Sequence, residues 1–411
     1  MGDLQRSITV WKGIALAVCI VIGSGLLGLP GLTLEIGNVY SSAVGWIVVI
    51  ISLIPLIYIF AHLGFLFPSS AGLSRYAEEA VGSWGSHAVS FILCGTFTIG
   101  IPGIAIIGGS YIQKLFSLPE IWIFGLAAAI LVLSTLINLL GMRVVNIINI
   151  ASLSALIILV LVIIFSNLSF LIKGFGIFSE TFSARAELNL NDIWKVAALL
   201  FWAFLGWENL SFSLGEFKNP EKNIPKVYYL SFIIVIFLYL GLAMTSFGAE
   251  TSGLSVKGAS GLTSLITRTP FGFLQMMVLV MVIPANASAW IYGASRLYYS
   301  SGQAGILPGF LGRLSKNKIP FNALALSLLV YISVLIVSRI FRIPLSNLVL
   351  IVSQNFLVLY VFSIFAYWRT EKKPQRWFVT ICASISCVFL LSGFSWWIIY
   401  PLMLLLSGYI H

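Results

Sequence analysis

Charged side chains are scarce in this chain of 411 residues, because only 9% are Asp, Glu, Lys or Arg. A soluble domain has about 25% charged residues, so this chain cannot cover a water-exposed surface in the usual way. Apolar residues make up 59% and form uncharged runs such as 121–140 and 151–165. Each run approaches the roughly 20 residues that a helix needs to cross a bilayer. The runs lack the alternation of barrel strands, so the composition predicts an all-α membrane protein.

Residues that build metal sites and nucleotide sites are also few. The four cysteines lie within apolar runs and the three histidines are widely separated, so no metal site and no cofactor are indicated. No GxxxxGK[ST] loop is present, so ATP hydrolysis is not expected. The net charge of +10 is typical of membrane-protein loops and does not indicate a nucleic-acid partner. A membrane-embedded enzyme is disfavoured, because paired carboxylates, an HxxxxD site and a metal cluster are not found.

Hydropathy predicts one transmembrane domain over residues 1–411, without a soluble linker. We place twelve spans at 13–36, 42–66, 87–113, 121–140, 146–166, 193–213, 227–248, 271–299, 321–341, 346–368, 377–392 and 394–410. Loops on the N-terminal side hold about 15 Lys and Arg, against about 8 on the other side. The positive-inside rule therefore predicts a multi-pass protein with both termini in the cytoplasm.

The first predicted span is unusual, because its middle holds Gly23, Ser24, Gly25 and Gly28 followed by Pro30. Glycine costs a helix about 1 kcal/mol relative to alanine, and proline costs about 3 kcal/mol. Close packing between helices explains one or two such glycines. An unwound segment explains the whole pattern better, and its freed N–H groups could hold a carboxylate.

The sixth predicted span contains an acidic residue, Glu208, in its interior. An ionised carboxylate in hydrocarbon costs several kcal/mol, so this side chain should face protein or water. Its role stays open between a structural hydrogen bond to a neighbouring helix and a gating or proton-binding group. Gly206 offers a flexible point just before it, where freed carbonyl groups could bind a substrate ammonium.

The two unusual spans are the first spans of two halves of the chain, 13–166 and 193–341. Interrupted helices in such positions are typical of a secondary transporter built from an inverted repeat. One break would offer N–H groups to a carboxylate and the other would offer C=O groups to an ammonium. The region 346–410 is predicted to add two or three peripheral C-terminal helices.

Motifs along nearly the whole chain resemble those of the amino acid–polyamine–organocation (APC) transporters. Gly23-Ser24-Gly25-Leu26-Leu27 is similar to the family's first-helix G-S-G-[IV]-F, and Phe204-Leu205-Gly206-Trp207-Glu208 is similar to its sixth-helix F-x-G-x-E. Similar segments follow the second, sixth and eighth helices at Pro68 to Gly82, Glu216 to Lys226 and Ser295 to Leu324. Gly100-Ile101-Pro102 and the run 201–225 most resemble bacterial exporters of methionine and branched-chain amino acids.

The resemblance implies a LeuT-like (APC) fold of about twelve transmembrane helices, with a five-plus-five inverted repeat and breaks in helices 1 and 6. The predicted substrate-binding residues are Ile22, Gly23, Ser24, Gly25, Ile101, Trp202, Phe204, Leu205 and Gly206, with Trp290 as a further candidate. A buried apolar side chain in such a site is stabilised by about 1.5–3 kcal/mol. The roles of Trp202 and Trp290 are not decided by the sequence: each could bind substrate, pack in the core or lie at the membrane interface.

Two positions depart from the family pattern. Many proton-coupled members carry a lysine in the fifth helix, where this chain has Ser152. A hydroxyl supplies no titrating charge, so this coupling-site position speaks against amine-based proton coupling. Arginine-exchanging members place an asparagine where Ile101 stands, which disfavours a long polar or cationic substrate.

We therefore predict a secondary transporter of neutral apolar amino acids, such as methionine, leucine, isoleucine and valine, in a bacterial plasma membrane. Net export by alternating access is preferred, with Glu208 as the gating or proton-binding group and protons as the candidate coupling ion. An exchanger or importer of the same fold stays open, because direction follows gradients. A channel is disfavoured, because it would favour polar rings along a pore. The oligomeric state is not predicted.

Overall fold

The computed structural model describes residues 8–68, 72–182, 187–211, 213–269, 271–315, 319–393 and 396–410. Regular structure in these ranges is helical, apart from one isolated bridge between Ile8 and Phe217. The α-helices are α1 (Val10–Val21), α2 (Ser24–Ile36), α3 (Val39–Leu66), α4 (Gly72–Val81), α5 (Trp84–Leu115), α6 (Trp122–Leu139), α7 (Met142–Ser166), α8 (Leu168–Phe182), α9 (Leu190–Phe201), α10 (Trp207–Ser211), α11 (Pro220–Glu250), α12 (Thr263–Ile266), α13 (Gly272–Gln303), α14 (Phe321–Ile340), α15 (Leu345–Thr370), α16 (Gln375–Ser392) and α17 (Ile399–Ile410). Short 3₁₀ turns occupy Trp202–Phe204, Leu214–Glu216, Gly309–Gly312 and Trp396–Ile398.

Eight of the described helices are long and apolar enough to cross a membrane. They are α3, α5, α6, residues Ile147–Ser166 of α7, α11, α13, α14 and α15. The first predicted span is divided into α1 and α2, and the sixth into α9 and α10. The last two predicted spans correspond to α16 and α17. The predicted all-α membrane architecture is therefore confirmed, whereas the inverted relation between the two halves stays a prediction.

Two helices outside the predicted spans pack against the transmembrane helices. Helix α4 is amphipathic and buries Leu73 and Tyr76. Helix α8 approaches α11 backbone to backbone, because a Cβ at Gly174 would lie 1.9 Å from the carbonyl oxygen of Met244. Hydropathy missed both helices because they are short and carry polar residues. Their burial comes from contacts that only the folded chain provides.

Helix α15 lies in the interior, within the region 346–410 for which two or three peripheral helices are predicted. Within its most apolar window 83% of the residues are buried. By contrast, α16 and α17 each expose a row of large apolar side chains. Helix α17 is nevertheless closely packed on α5, where the Tyr400 hydroxyl donates to the carbonyl of Gly95 at 3.1 Å. The C-terminal region therefore contributes one central helix and two outer helices.

Candidate functional site

The first interrupted helix changes direction at two extended residues. Helix α1 ends at Val21, and both Ile22 (φ −77°, ψ 105°) and Gly23 (φ −131°, ψ −160°) have extended backbone. Helix α2 then begins at Ser24, whose side chain lies outside the described part of the structure. The N–H groups of Ser24 and Gly25 belong to its first turn and have no acceptor within the helix. The predicted unwound segment is therefore present at Ile22 and Gly23.

The second interrupted helix breaks after the 3₁₀ turn Trp202–Phe204. Leu205 is extended (ψ 154°), and Gly206 has φ +128°, a conformation that favours glycine. A Cβ at Gly206 would lie 3.0 Å from the carbonyl oxygen of Ile20 and 3.0 Å from Cα of Val21. Gly206 is therefore required for the two breaks to meet backbone to backbone.

A tyrosine on α11 joins the two breaks from the side. The Tyr239 hydroxyl donates to the carbonyl of Ala203 at 2.7 Å and lies 3.2 Å from the carbonyl of Val21. Tyr239 is fully buried, and its ring centroid lies 5.0 Å from that of Phe204. The hydroxyl has one proton for the two carbonyl groups. The carbonyl that does not receive it can therefore accept a hydrogen bond from another donor.

Glu208 is fully buried one residue after the start of α10. One carboxylate oxygen accepts the backbone N–H of Gly206 at 2.8 Å. The other oxygen accepts the hydroxyl of Tyr360, on α15, at 2.9 Å. This geometry caps the start of α10 and fastens it to α15. The predicted hydrogen bond to a neighbouring helix is present, and a gating or proton-binding role stays a prediction.

A small cavity lies between the two breaks. It is lined by Ile20, Val21, Gly23, Gly25, Ile104, Trp202, Ala203, Leu205, Asn286 and Trp290. Its volume of about 20 Å³ is room for roughly one water molecule. None of these lining residues carries a charged side chain.

The structure brings four of the predicted binding residues to this cavity: Gly23, Gly25, Trp202 and Leu205. The candidate Trp290 joins them, and its ring also contacts Phe97 edge to face, with centroids 5.8 Å apart. Trp202 and Trp290 therefore line the space between the breaks, whatever packing role they also have.

Other predicted binding residues lie close by but outside the lining. Ile22 and Ile101 are fully buried, and Ile104, one helical turn after Ile101, faces the cavity in its place. Phe204 packs on Trp46 and Tyr239. Ser152 is half-buried on α7, and it is not among the residues that line the cavity.

Asn286, on α13, is a cavity residue that the sequence analysis missed. Its side-chain amide lies beside Gly23, where a Cβ would be 3.2 Å from Nδ2. The available signal was a carboxamide in the middle of an apolar span, two residues after Pro284. Within the described ranges, no group of three or more His, Cys, Asp or Glu side chains is placed to hold a metal ion.

Replacing Tyr239 with phenylalanine should lower the transport activity that the sequence predicts by roughly 5- to 30-fold, because a buried carbonyl left without its donor costs about 1–2 kcal/mol. The measurement is the initial rate at which proteoliposomes take up the predicted substrates. Tyr111→Phe is the matched control, because the Tyr111 hydroxyl also donates to a buried carbonyl, that of Leu27, at 2.9 Å. Equal losses in both variants would contradict a special role for the bond at the breaks.

Comparison with known proteins assigns the family. A family model described as amino acid permease matches residues 8–404. An uncharacterized amino acid permease, YecA of Bacillus subtilis, is 27% identical over 422 residues, covering 100% of this chain and 96% of the relative. The L-methionine/branched-chain amino acid exporter YjeH of Escherichia coli is 24% identical over 410 residues, covering 98% and 96%. The putrescine transporter PotE of Escherichia coli is 23% identical over 335 residues, covering 79% and 72%. The chain therefore belongs to the amino acid permease family of the APC superfamily, whose named relatives are membrane transporters, and the resemblance found in its motifs is confirmed.

Proposed function

We propose that this protein is a secondary active transporter of neutral apolar amino acids, such as methionine, leucine, isoleucine and valine. The observation that carries the proposal is the cavity at the two helix breaks, whose lining is mainly apolar and aromatic, includes the amide of Asn286 and holds no charged side chain. A zwitterion with an apolar side chain matches such a lining, because the backbone can neutralise both of its charges. The name of the Escherichia coli relative, an exporter of methionine and branched-chain amino acids, supports this substrate class.

The substrate carboxylate binds at the start of α2. The N–H groups of Ser24 and Gly25 lie in the first turn there, where the helix dipole favours a negative charge. The ammonium binds carbonyl groups at the second break, within residues 202–205. The apolar side chain of the substrate contacts Ile104, Trp202 and Leu205, and its full burial contributes about 1.5–3 kcal/mol in total.

A cationic substrate fits this site less well. Putrescine carries two ammonium groups and no carboxylate, and none of the lining residues is acidic. The nearest carboxylate along the chain, that of Glu208, accepts hydrogen bonds from Gly206 and Tyr360 and does not line the cavity. We therefore expect putrescine not to compete with leucine.

Transport proceeds by alternating access. Ligand pockets usually have about 300–1,000 Å³, so the cavity of about 20 Å³ between the breaks must widen to admit an amino acid. Rearrangement of the half-helices around the breaks provides that change, with Glu208 as the gating or proton-binding group. We propose both termini in the cytoplasm and net export, and exchange or import by the same site is the alternative.

A counterflow panel in proteoliposomes tests the proposal. Vesicles loaded with unlabelled leucine should take up labelled leucine, methionine, isoleucine and valine, but not arginine or putrescine. Repeating the assay with and without a pH gradient and sodium identifies the coupling ion. Exchange of cationic substrates alone, or no exchange of any amino acid, would contradict the proposed function.

Asn286→Asp should raise the leucine concentration for half-maximal exchange by more than about tenfold, because a like charge beside the carboxylate costs several kcal/mol. The change keeps the shape of the side chain and adds one negative charge next to Gly23. Asn286→Leu, which removes the polar group without adding charge, should have a smaller effect. The measurement is the leucine concentration dependence of exchange for both variants. A wild-type dependence for Asn286→Asp would show that the substrate carboxylate does not bind next to Asn286.

A further inference from the structure

The segment before α1 is joined to the residues before α11 by a parallel bridge between Ile8 and Phe217. The N–H of Ile8 donates to the carbonyl of Glu216 at 3.0 Å, and the N–H of Lys218 donates to the carbonyl of Ile8 at 2.9 Å. Only Thr9, the N-cap residue, separates Ile8 from α1. The bridge therefore holds the start of α1 against the residues that follow α10.

The Phe217 side chain reinforces this bridge. Its ring is fully buried and lies against Gly13 of α1, where a Cβ would be 2.6 Å from Cε1 of the ring. Val227 closes the same space, with Cγ2 2.8 Å from the position of that Cβ. The absence of a side chain at Gly13 lets the ring reach the helix backbone. We call the bridge and this ring contact together the latch.

Local hydrogen bonds hold residues 213–219, which precede α11. The N–H of Glu216 donates to the carbonyl of Ser213 at 3.1 Å, which closes a 3₁₀ turn. Asn219 has a left-handed backbone (φ +46°) and turns the chain into α11. The side-chain amide of Asn223 donates to the carbonyl of Lys218. The N–H of Ser213 donates to the carbonyl of Leu210, in α10, at 2.9 Å, so a displacement of α10 is passed to the latch.

The other end of α1 is also held to the second interrupted helix. Ile20 and Val21 lie against Gly206, and the Tyr239 hydroxyl reaches carbonyl groups from both breaks. Helix α1 is thus fastened near α10 at both of its ends. Backbone hydrogen bonds at the first end, and tight packing with the Tyr239 hydroxyl bonds at the other, favour movement as a rigid unit.

We propose that α1 and α10, joined by the latch, move as one body during transport. The segment 216–226 contributes no residue to the cavity lining. Its role in this proposal is to hold α1 in place relative to α10. The latch stays closed while the site opens to the face that carries residue 8. This inference rests on the proposed function, because the movement is that of alternating access.

Crosslinking across the latch tests whether it stays closed. Thr9 and Lys218 are exposed, so cysteines at both positions can be joined by a short, reducible bis-thiosulfonate reagent. The four native cysteines are first replaced by alanine, and mass spectrometry measures the extent of crosslinking. A rigid unit should keep its leucine counterflow within about twofold after crosslinking. A loss of more than about tenfold that reduction reverses would show that the latch opens in every cycle, and would overturn the proposal.

Hydrogen exchange gives a readout that does not depend on transport. The amides of Ile8 and Lys218 are both donors in the bridge, so both should exchange faster in Phe217→Ala. Phe310→Ala, which removes an exposed ring elsewhere, is the control and should leave both unchanged. Independent exchange of the two amides would overturn the latch. Coupled exchange without counterflow of any amino acid would instead support the latch and contradict the proposed function.

Discussion

Gly206→Ala should lower amino acid counterflow by more than about tenfold, because a side chain in this backbone conformation costs about 1–3 kcal/mol before any clash is counted. The added Cβ would also lie 3.0 Å from backbone atoms of both Ile20 and Val21. Backbone atoms cannot turn aside as a flexible side chain can, so the two breaks must separate. We therefore expect the carbonyl groups that bind the ammonium to lose their alignment.

A matched glycine separates this effect from a general loss of stability. Gly176 lies on α8, and a Cβ there would have no atom within 4 Å. Gly176→Ala should therefore transport like the wild type, with a similar melting temperature in detergent. Counterflow of Gly206→Ala at the wild-type rate, in protein that inserts normally, would show that the close approach of the breaks is dispensable.

The helix breaks could be predicted because their cause is local. Gly23 and Gly206 interrupt apolar runs that are otherwise long enough to span a membrane, and helix propensity alone makes such positions weak. The apolar character of the cavity lining could be predicted for the same reason, because Trp202 and Leu205 are adjacent to a helix break in the sequence. Their place at the cavity follows directly from that adjacency.

Contacts from distant helices could not be predicted in the same way. In the sequence, nothing distinguishes Tyr239 and Tyr360 from other residues of apolar spans. The groups that accept hydrogen bonds from their hydroxyls lie 36 and 152 residues away along the chain. Ile101 and Ile104 lie one helical turn apart on α5. Which of the two lines the cavity therefore depends on the rotation of α5 about its axis. Tertiary packing sets that rotation, and no local pattern reports it.

A structural role and a proton-binding role of Glu208 predict different results when this residue is replaced. Glu208→Ala leaves the N–H of Gly206 and the hydroxyl of Tyr360 without their acceptor. Each unsatisfied buried group costs about 1–3 kcal/mol, so this variant should be severely destabilised in either case. It cannot separate the two roles.

Glu208→Gln does separate them. The amide oxygen can still accept from Gly206, and the hydroxyl of Tyr360 can rotate to accept from the amide nitrogen, so the fold should persist. The side chain no longer titrates, and we expect counterflow that varies less with pH than in the wild type. Tyr360→Phe is the control, because it removes one hydrogen bond and keeps the carboxylate. If Glu208→Gln keeps the wild-type pH profile while Tyr360→Phe lowers stability, the carboxylate acts only as the anchor of α10 on α15.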